Sequence, residues 1–150
     1  MKFLISTITL FLLFTPSTTA ADLAKGKDAL EREDFRTAFQ ELEPLAKQGN
    51  DFAQNALGVM YDFGLGAPED DTKAVYWYKK AAEQGNDTSQ NNLGLSYDYG
   101  EGVAEDDTKA AYWYKKAAEQ GNGSAQYNLG RMYANGNGVP EDYAEAAYWY

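Results

Sequence analysis

Residues 49–84 and 85–120 align without a gap and are identical at 26 of 36 positions, and residues 121–150 open a third copy. The markers recur in register: Gly49, Gly85 and Gly121; Leu57, Leu93 and Leu129; Tyr61, Tyr97 and Tyr133; Trp77, Trp113 and Trp149. A period of this length belongs to an array of one supersecondary unit. A single unit is too small to bury its own apolar surface, so each must stack on the next. Residues 22–48 read as a degenerate opening unit, because Phe39, Leu42, Pro44, Leu45 and Ala46 end in Lys47-Gln48-Gly49-Asn50, as each later unit ends.

Within a unit the apolar spacing is helical twice over. Ala53, Leu57 and Tyr61 stand four residues apart; beyond a glycine-rich loop, Ala74, Tyr78, Ala81 and Ala82 keep the same face. Each unit is therefore predicted to be an antiparallel helix hairpin. Gly64 or Gly66 ends the first helix, Asp70 caps the second and Gly85 closes it. In the third copy Asp142 precedes Glu145 by three residues, as in a capping box. Gly58, Gly94 and Gly130 fall inside the first helix, where each costs about 1 kcal/mol relative to alanine. Close approach of the second helix, with its small Ala81-Ala82 pair, is the expected reason.

The N-terminus has a different character. Lys2 is followed by a run from Phe3 to Phe14 interrupted only by Ser6, Thr7 and Thr9, and then by Pro16 and Thr18-Thr19-Ala20-Ala21. This is the pattern of a secretory signal peptide over residues 1–20, cleaved after Ala20 or Ala21. The run is shorter than the roughly 20 residues of a membrane span, so no stable membrane insertion is expected after cleavage, and no cysteine follows it to accept a lipid. The expected location is periplasmic or secreted.

Composition narrows the chemistry. The chain has no His and no Cys, which removes imidazole bases, thiol nucleophiles, disulfides and the usual zinc ligands. Its net charge of −10 repels phosphate backbones, so nucleic acid is not an expected partner.

The recurring string Ala-Gln-x-x-Leu-Gly-x-x-Tyr-x-x-Gly, then Gly-Val, Asp and Ala-x-x-Trp-Tyr-x-x-Ala-Ala-x-x-Gly, resembles the Sel1-like repeat, a relative of the tetratricopeptide repeat. It runs from Ala53-Gln54 to Gly85, from Ser89-Gln90 to Gly121 and from Ala125-Gln126 to Tyr150. Departures are small: Ser89 replaces the first Ala, and Ala67 stands where the later copies have Val103 and Val139. The resemblance implies an all-α fold, an α-solenoid of stacked antiparallel hairpins wound as a right-handed superhelix. It also implies an adaptor role in bacterial envelopes, in signalling complexes or at host-cell surfaces. Some exported members are rich in disulfides and linked to penicillin binding; a chain without cysteine does not inherit that link.

Several residues carry two readings. The acidic runs Glu69-Asp70-Asp71 and Glu105-Asp106-Asp107 can cap a helix, hold a divalent cation or supply paired carboxylates. They lack the alternating spacing of a calcium loop, and each precedes a helix whose dipole favours Asp, so capping is expected. The tryptophans and their flanking Tyr76, Tyr78, Tyr112, Tyr114, Tyr148 and Tyr150 can form a carbohydrate platform, but a fixed place in every copy points to packing. Lys79-Lys80 and Lys115-Lys116 suit the dipole at a helix C-terminus. Asn86-Asp87-Thr88 and Asn122-Gly123-Ser124 are glycosylation acceptors in a eukaryotic pathway and turn residues in a bacterial one.

In a solenoid of this kind the first helices line the inner wall. With Leu57, Gly58 and Tyr61 turned toward the second helix, Phe52, Asn55, Val59, Asp62 and Phe63 are left for a concave face. The next unit contributes Thr88, Asn91, Leu95, Asp98 and Tyr99, and the third Ser124, Tyr127, Arg131, Ala134 and Asn135. Aromatic anchors, amides and acids together suit a protein or an extended or helical peptide of basic character. The last helix is about two turns shorter than its equivalents, which leads to the expectation of a longer reading frame or of self-association through an uncapped C-terminal face. The expected function is thus an exported protein–protein interaction scaffold without enzymatic turnover and without cofactor or metal. Its alternatives are a secreted factor acting on a host protein and a cell-wall-directed hydrolase or binder of a β-lactam or peptidoglycan.

Overall fold

A computed structural model describes residues 20–150. The segment read from sequence as a signal peptide lies, through residue 19, outside the described residues. Among the described residues eight α-helices follow one another: α1 (Ala20–Glu31), α2 (Phe35–Lys47), α3 (Asp51–Asp62), α4 (Asp71–Glu83), α5 (Asp87–Tyr99), α6 (Asp107–Glu119), α7 (Gly123–Asn135) and α8 (Tyr143–Trp149). Among the described residues there is no strand, and no helix is long and apolar enough to cross a membrane. Each helix packs mainly on its neighbours in the chain, so hairpins α1–α2, α3–α4, α5–α6 and α7–α8 stack in order as the expected solenoid.

The helix ends follow from local chemistry. The Oδ1 atoms of Asn50, Asn86 and Asn122 accept from the backbone N–H of Ala53, Ser89 and Ala125 at 2.8, 2.9 and 3.0 Å, capping the first helix of each repeat. Asp70 and Asp106 cap the second helices through the N–H of Lys73 and Lys109, both at 3.0 Å. Asp142 caps α8 through the N–H groups of Ala144 and Glu145. The reciprocal half of the expected capping box does not form there. The Asp142 N–H donates to the Tyr133 carbonyl, and the Glu145 carboxylate accepts from the Trp149 indole N–H at 3.3 Å.

Leu57, Leu93 and Leu129 are buried at 1% exposure or less, as the repeat pattern requires. The core forms three successive clusters. Tyr61 packs against the first and second of these along the chain, and Tyr97 against the second and third, so the repeated tyrosines join neighbouring clusters. Trp77 is buried and Trp113 and Trp149 half-buried against the same clusters, which assigns them to packing.

Polar stitches fix the register between units. Gln54 and Gln90, both 3% exposed, donate from Nε2 to the carbonyls of Ala46 and Ala82 in the preceding unit. Their Oε1 atoms accept from Gln84 and Gln120 at 2.7 Å. Asn86 and Asn122 donate from their amides to Asp51 and Asp87, one unit back. Gly102, at φ +68°, lets its loop lie against the backbone of Asp71 and Thr72 at the start of α4; a side chain there would collide with the Asp71 carbonyl.

Candidate binding cleft

At the loop ends of the first two complete repeats, α3, α5 and the loops that follow them enclose a cleft of about 410 Å³. Phe63 and Tyr99, 67% and 62% exposed, stand at it as unburied aromatic rings. Leu95 supplies an apolar floor, with Ser96 and Asn92 beside it. Four carboxylates line the cleft, Asp62, Glu69, Asp71 and Glu101, and no basic residue does.

Each wall follows from repeat geometry. Asp62 ends α3 and accepts at Oδ2 from the Tyr78 hydroxyl at 2.9 Å, an interaction that spans the hairpin. Burial, then the adjacent Asp62 carboxylate, raises the Tyr78 hydroxyl far above its usual range, so it remains a donor. Phe63 directly follows α3 and points away from the core, having lost the helical register that buries Leu57. Asp71 opens α4 beside Asp70, whose own carboxylate is occupied by the cap and by an ion pair with Lys73 at 2.9 Å. These two contacts, first the hydrogen bonding and then the Lys73 charge, hold the Asp70 carboxyl below its ordinary range.

Of the positions assigned to the concave face from sequence, Asp62, Phe63, Leu95 and Tyr99 meet in this cleft. The rest are distributed along the same helices. Asn55 accepts from the Ser89 hydroxyl at 2.7 Å, and Asn91 accepts from the Asn128 amide at 3.3 Å, so both join neighbouring units. Phe52 packs at the edge of the first core cluster beneath the Lys27 ammonium, 4.5 Å above its ring, and Val59 packs on the second. Thr88, Ser124, Tyr127 and Asn135 are exposed and Ala134 half-buried, and Tyr127 leans on Tyr150 with centroids 5.7 Å apart. Asp98 and Arg131 pair with each other across units, and Asp98 also accepts from the Tyr114 hydroxyl at 3.0 Å. Glu69, Asp71, Asn92, Ser96 and Glu101 were not among the concave-face candidates; Glu69 and Asp71 had been read from sequence as part of a helix-capping run. Glu101 had a signal, since Leu65 and Asn137 hold its place in the other copies.

Residues 51–86, 88–122 and 123–150 each match the Sel1 repeat. The chain belongs to the Sel1 repeat family. Solved Sel1-type structures agree. A Sel1 repeat protein from Oxalobacter formigenes superposes with a TM-score of 0.82 at 37% identity, covering 87% of this chain and 52% of that one. The protective antigen c5321 of uropathogenic Escherichia coli, described as an SLR fold, gives a TM-score of 0.82 at 38% identity over 86% of this chain and 28% of its own. Cysteine-rich protein B of Helicobacter pylori, at 23% identity and a TM-score of 0.60, shares the fold. Over 60 residues, 38% of this chain, the sequence is 43% identical to an ERAD-associated E3 ubiquitin-protein ligase component, HRD3B of Arabidopsis thaliana, of which it spans 10%. The Sel1 repeat chain therefore covers about half or less of these better-matching relatives.

Proposed function

We propose that this Sel1 repeat chain is an exported, non-catalytic interaction scaffold that grips a basic protein segment along its first helices, centred on the Phe63–Tyr99 cleft. The carrying observation is the union, in one cleft between two repeats, of two unburied aromatic rings with four carboxylates and no basic side chain. Aromatic surface supplies affinity at low entropic cost, and uncompensated acid selects a cationic partner. The absence of His and Cys from the chain supports binding without turnover. Export rests on the sequence alone, on Lys2, the apolar run and the small residues ending at Ala21.

Two measurements test this. A displayed peptide library is panned against the chain and against Phe63→Ser/Tyr99→Ser. Basic, apolar-flanked peptides should be enriched by the first and lost by the second, whose melting temperature should stay within about 2 °C because both side chains are largely exposed. Enrichment that survives the double substitution would place binding elsewhere. For location, the mass of the chain recovered from its native cell should correspond to a start at Ala21 or Asp22; a start at Met1 would reject processing.

A further inference from the structure

The second and third Sel1 repeats meet in the same way as the first and second, but the equivalent site is filled. There the place of Leu95 is taken by Arg131, whose guanidinium is seated against Asp98 Oδ2, the atom that also accepts from Tyr114. The Asp98 side chain is only 6% exposed. One junction thus shows what an Asp–Tyr pair of this geometry binds when a cation is supplied by the next helix. At the other junction Asp62 and Tyr78 form the same pair at 2.9 Å, but the next helix offers the neutral Leu95. A carboxylate and a ring are added there as well: Glu101 stands where the third repeat has Asn137, and Tyr99 where it has Asn135.

We infer that the Phe63–Tyr99 cleft is an arginine-side-chain socket, in which a guanidinium of the bound segment takes, on Asp62, the place that Arg131 takes on Asp98. This deepens the proposed function and rests on it. A guanidinium fits for three reasons. It is planar and stacks on aromatic faces such as Phe63 and Tyr99. It offers several donors at fixed angles to carboxylates that have no other cation, where an ammonium is a point charge. It also sheds water more readily than an ammonium in a cleft with an apolar floor.

The test uses three acetylated, amidated heptapeptides, identical except for a central arginine, lysine or citrulline flanked by leucine and tyrosine. Binding is read by calorimetry and by amide chemical shifts of the full chain. The arginine peptide should bind about tenfold tighter than the neutral citrulline peptide and measurably tighter than the lysine peptide. Leu95→Arg, which installs the internal cation already tolerated at position 131, should abolish the arginine preference and raise the melting temperature. Tyr112→Arg, which adds the same charge at an exposed position outside the cleft, should keep the preference. Equal binding of arginine and citrulline, or an arginine preference that persists in Leu95→Arg, overturns the socket while leaving the aromatic cleft standing. Equal binding of arginine and lysine reduces it to a general cation site. If no peptide binds above the Phe63→Ser/Tyr99→Ser background, the socket and the cleft reading fall together.

Discussion

The ring of Tyr78 occupies the volume that a β-carbon on Gly58 would need, with ring atoms Cδ1 and Cε1 well inside van der Waals contact of that position. The relationship repeats at Gly94 and Tyr114, where the same atoms would lie 2.6 and 2.7 Å away. It is not the small Ala81-Ala82 pair that demands glycine, as the sequence had led us to expect, but the opposite: a large, fully buried ring that needs a notch in the facing helix. Gly94→Ala is therefore expected to lower stability by about 1–3 kcal/mol, overpacking outweighing the gain of about 1 kcal/mol in helix propensity. In a Tyr114→Leu background the same substitution should become neutral or stabilising. Urea denaturation of the four proteins in this cycle measures the coupling directly.

The opening hairpin uses the same device with different residues. Gly26 faces Leu42 there, with Leu42 Cδ2 at 2.5 Å from the position of an added β-carbon, so a leucine takes the part of Tyr78. The connection, residues 32–34, is four or five residues shorter than in the later hairpins and turns through Glu33 at φ 58°. This explains why the repeat fades upstream of residue 49: the loop glycines are gone and a different side chain fills the notch. The hairpins, their caps and their buried leucines were legible because each rests on spacing within one unit. The cleft was less so, because it is made between units. Asp62, Phe63 and Tyr99 could be placed on a face from their register alone, whereas Glu69 and Glu101 come from loops, and Asp71 from the helix start after one, whose path no helical periodicity describes. The one visible clue was difference between copies: Leu95 against Arg131, and Glu101 against Asn137.

The glutamine stitches predict an asymmetry. Gln90 is 3% exposed and satisfies the Ala82 carbonyl while accepting from Gln120. Gln90→Leu removes both bonds at a buried site, while the Ala82 carbonyl keeps the Gly85 N–H at 3.0 Å; losing the two bonds should cost about 1–3 kcal/mol. Gln120 is exposed, and Gln120→Ala removes one bond to Gln90 and little packing, so it should cost less, about 1 kcal/mol. Equal losses in thermal unfolding would show that the bond from Gln90 to the Ala82 carbonyl adds nothing to stability.

Acid should loosen the array through its caps. The carboxyls of Asp34, Asp70 and Asp106 are each held below the ordinary value by hydrogen bonds, chiefly from the residues they cap, and Lys73 and Lys109 add charge at the last two. A carboxyl whose folded pKa is depressed contributes stability that is present above its unfolded pKa of about 3.9 and lost as pH falls through the folded value. Melting temperature should accordingly fall below about pH 4. Asp70→Asn/Asp106→Asn keeps a good neutral cap, so it should be close to wild type at pH 7 and show a shallower acid slope. An unchanged slope would assign the acid response to other carboxylates.

Asp98 and Arg131 set a different kind of limit, because their pairing joins the second and third repeats over a nearly buried carboxylate. Burial opposes the Arg131 charge, but Asp98 outweighs it and leaves the guanidinium more basic than usual, so Arg131 stays charged at any ordinary pH. Arg131→Leu copies the first junction, and with it leaves Asp98 without its cation. The expected loss is on the order of 2–3 kcal/mol, below the figure for a fully buried pair because Arg131 keeps 28% side-chain exposure. Asp98→Asn in the same chain should recover much of that loss, since the amide still accepts from Tyr114 without a charge to neutralise. Asp62 tolerates the lack of an arginine because its cleft is open to solvent, so Asp62→Asn should change stability by less than about 1 kcal/mol. A large destabilisation from Asp62→Asn in chemical denaturation would mean that the two junctions are held by the same interaction after all, and that the contrast between an occupied and an open site is misplaced.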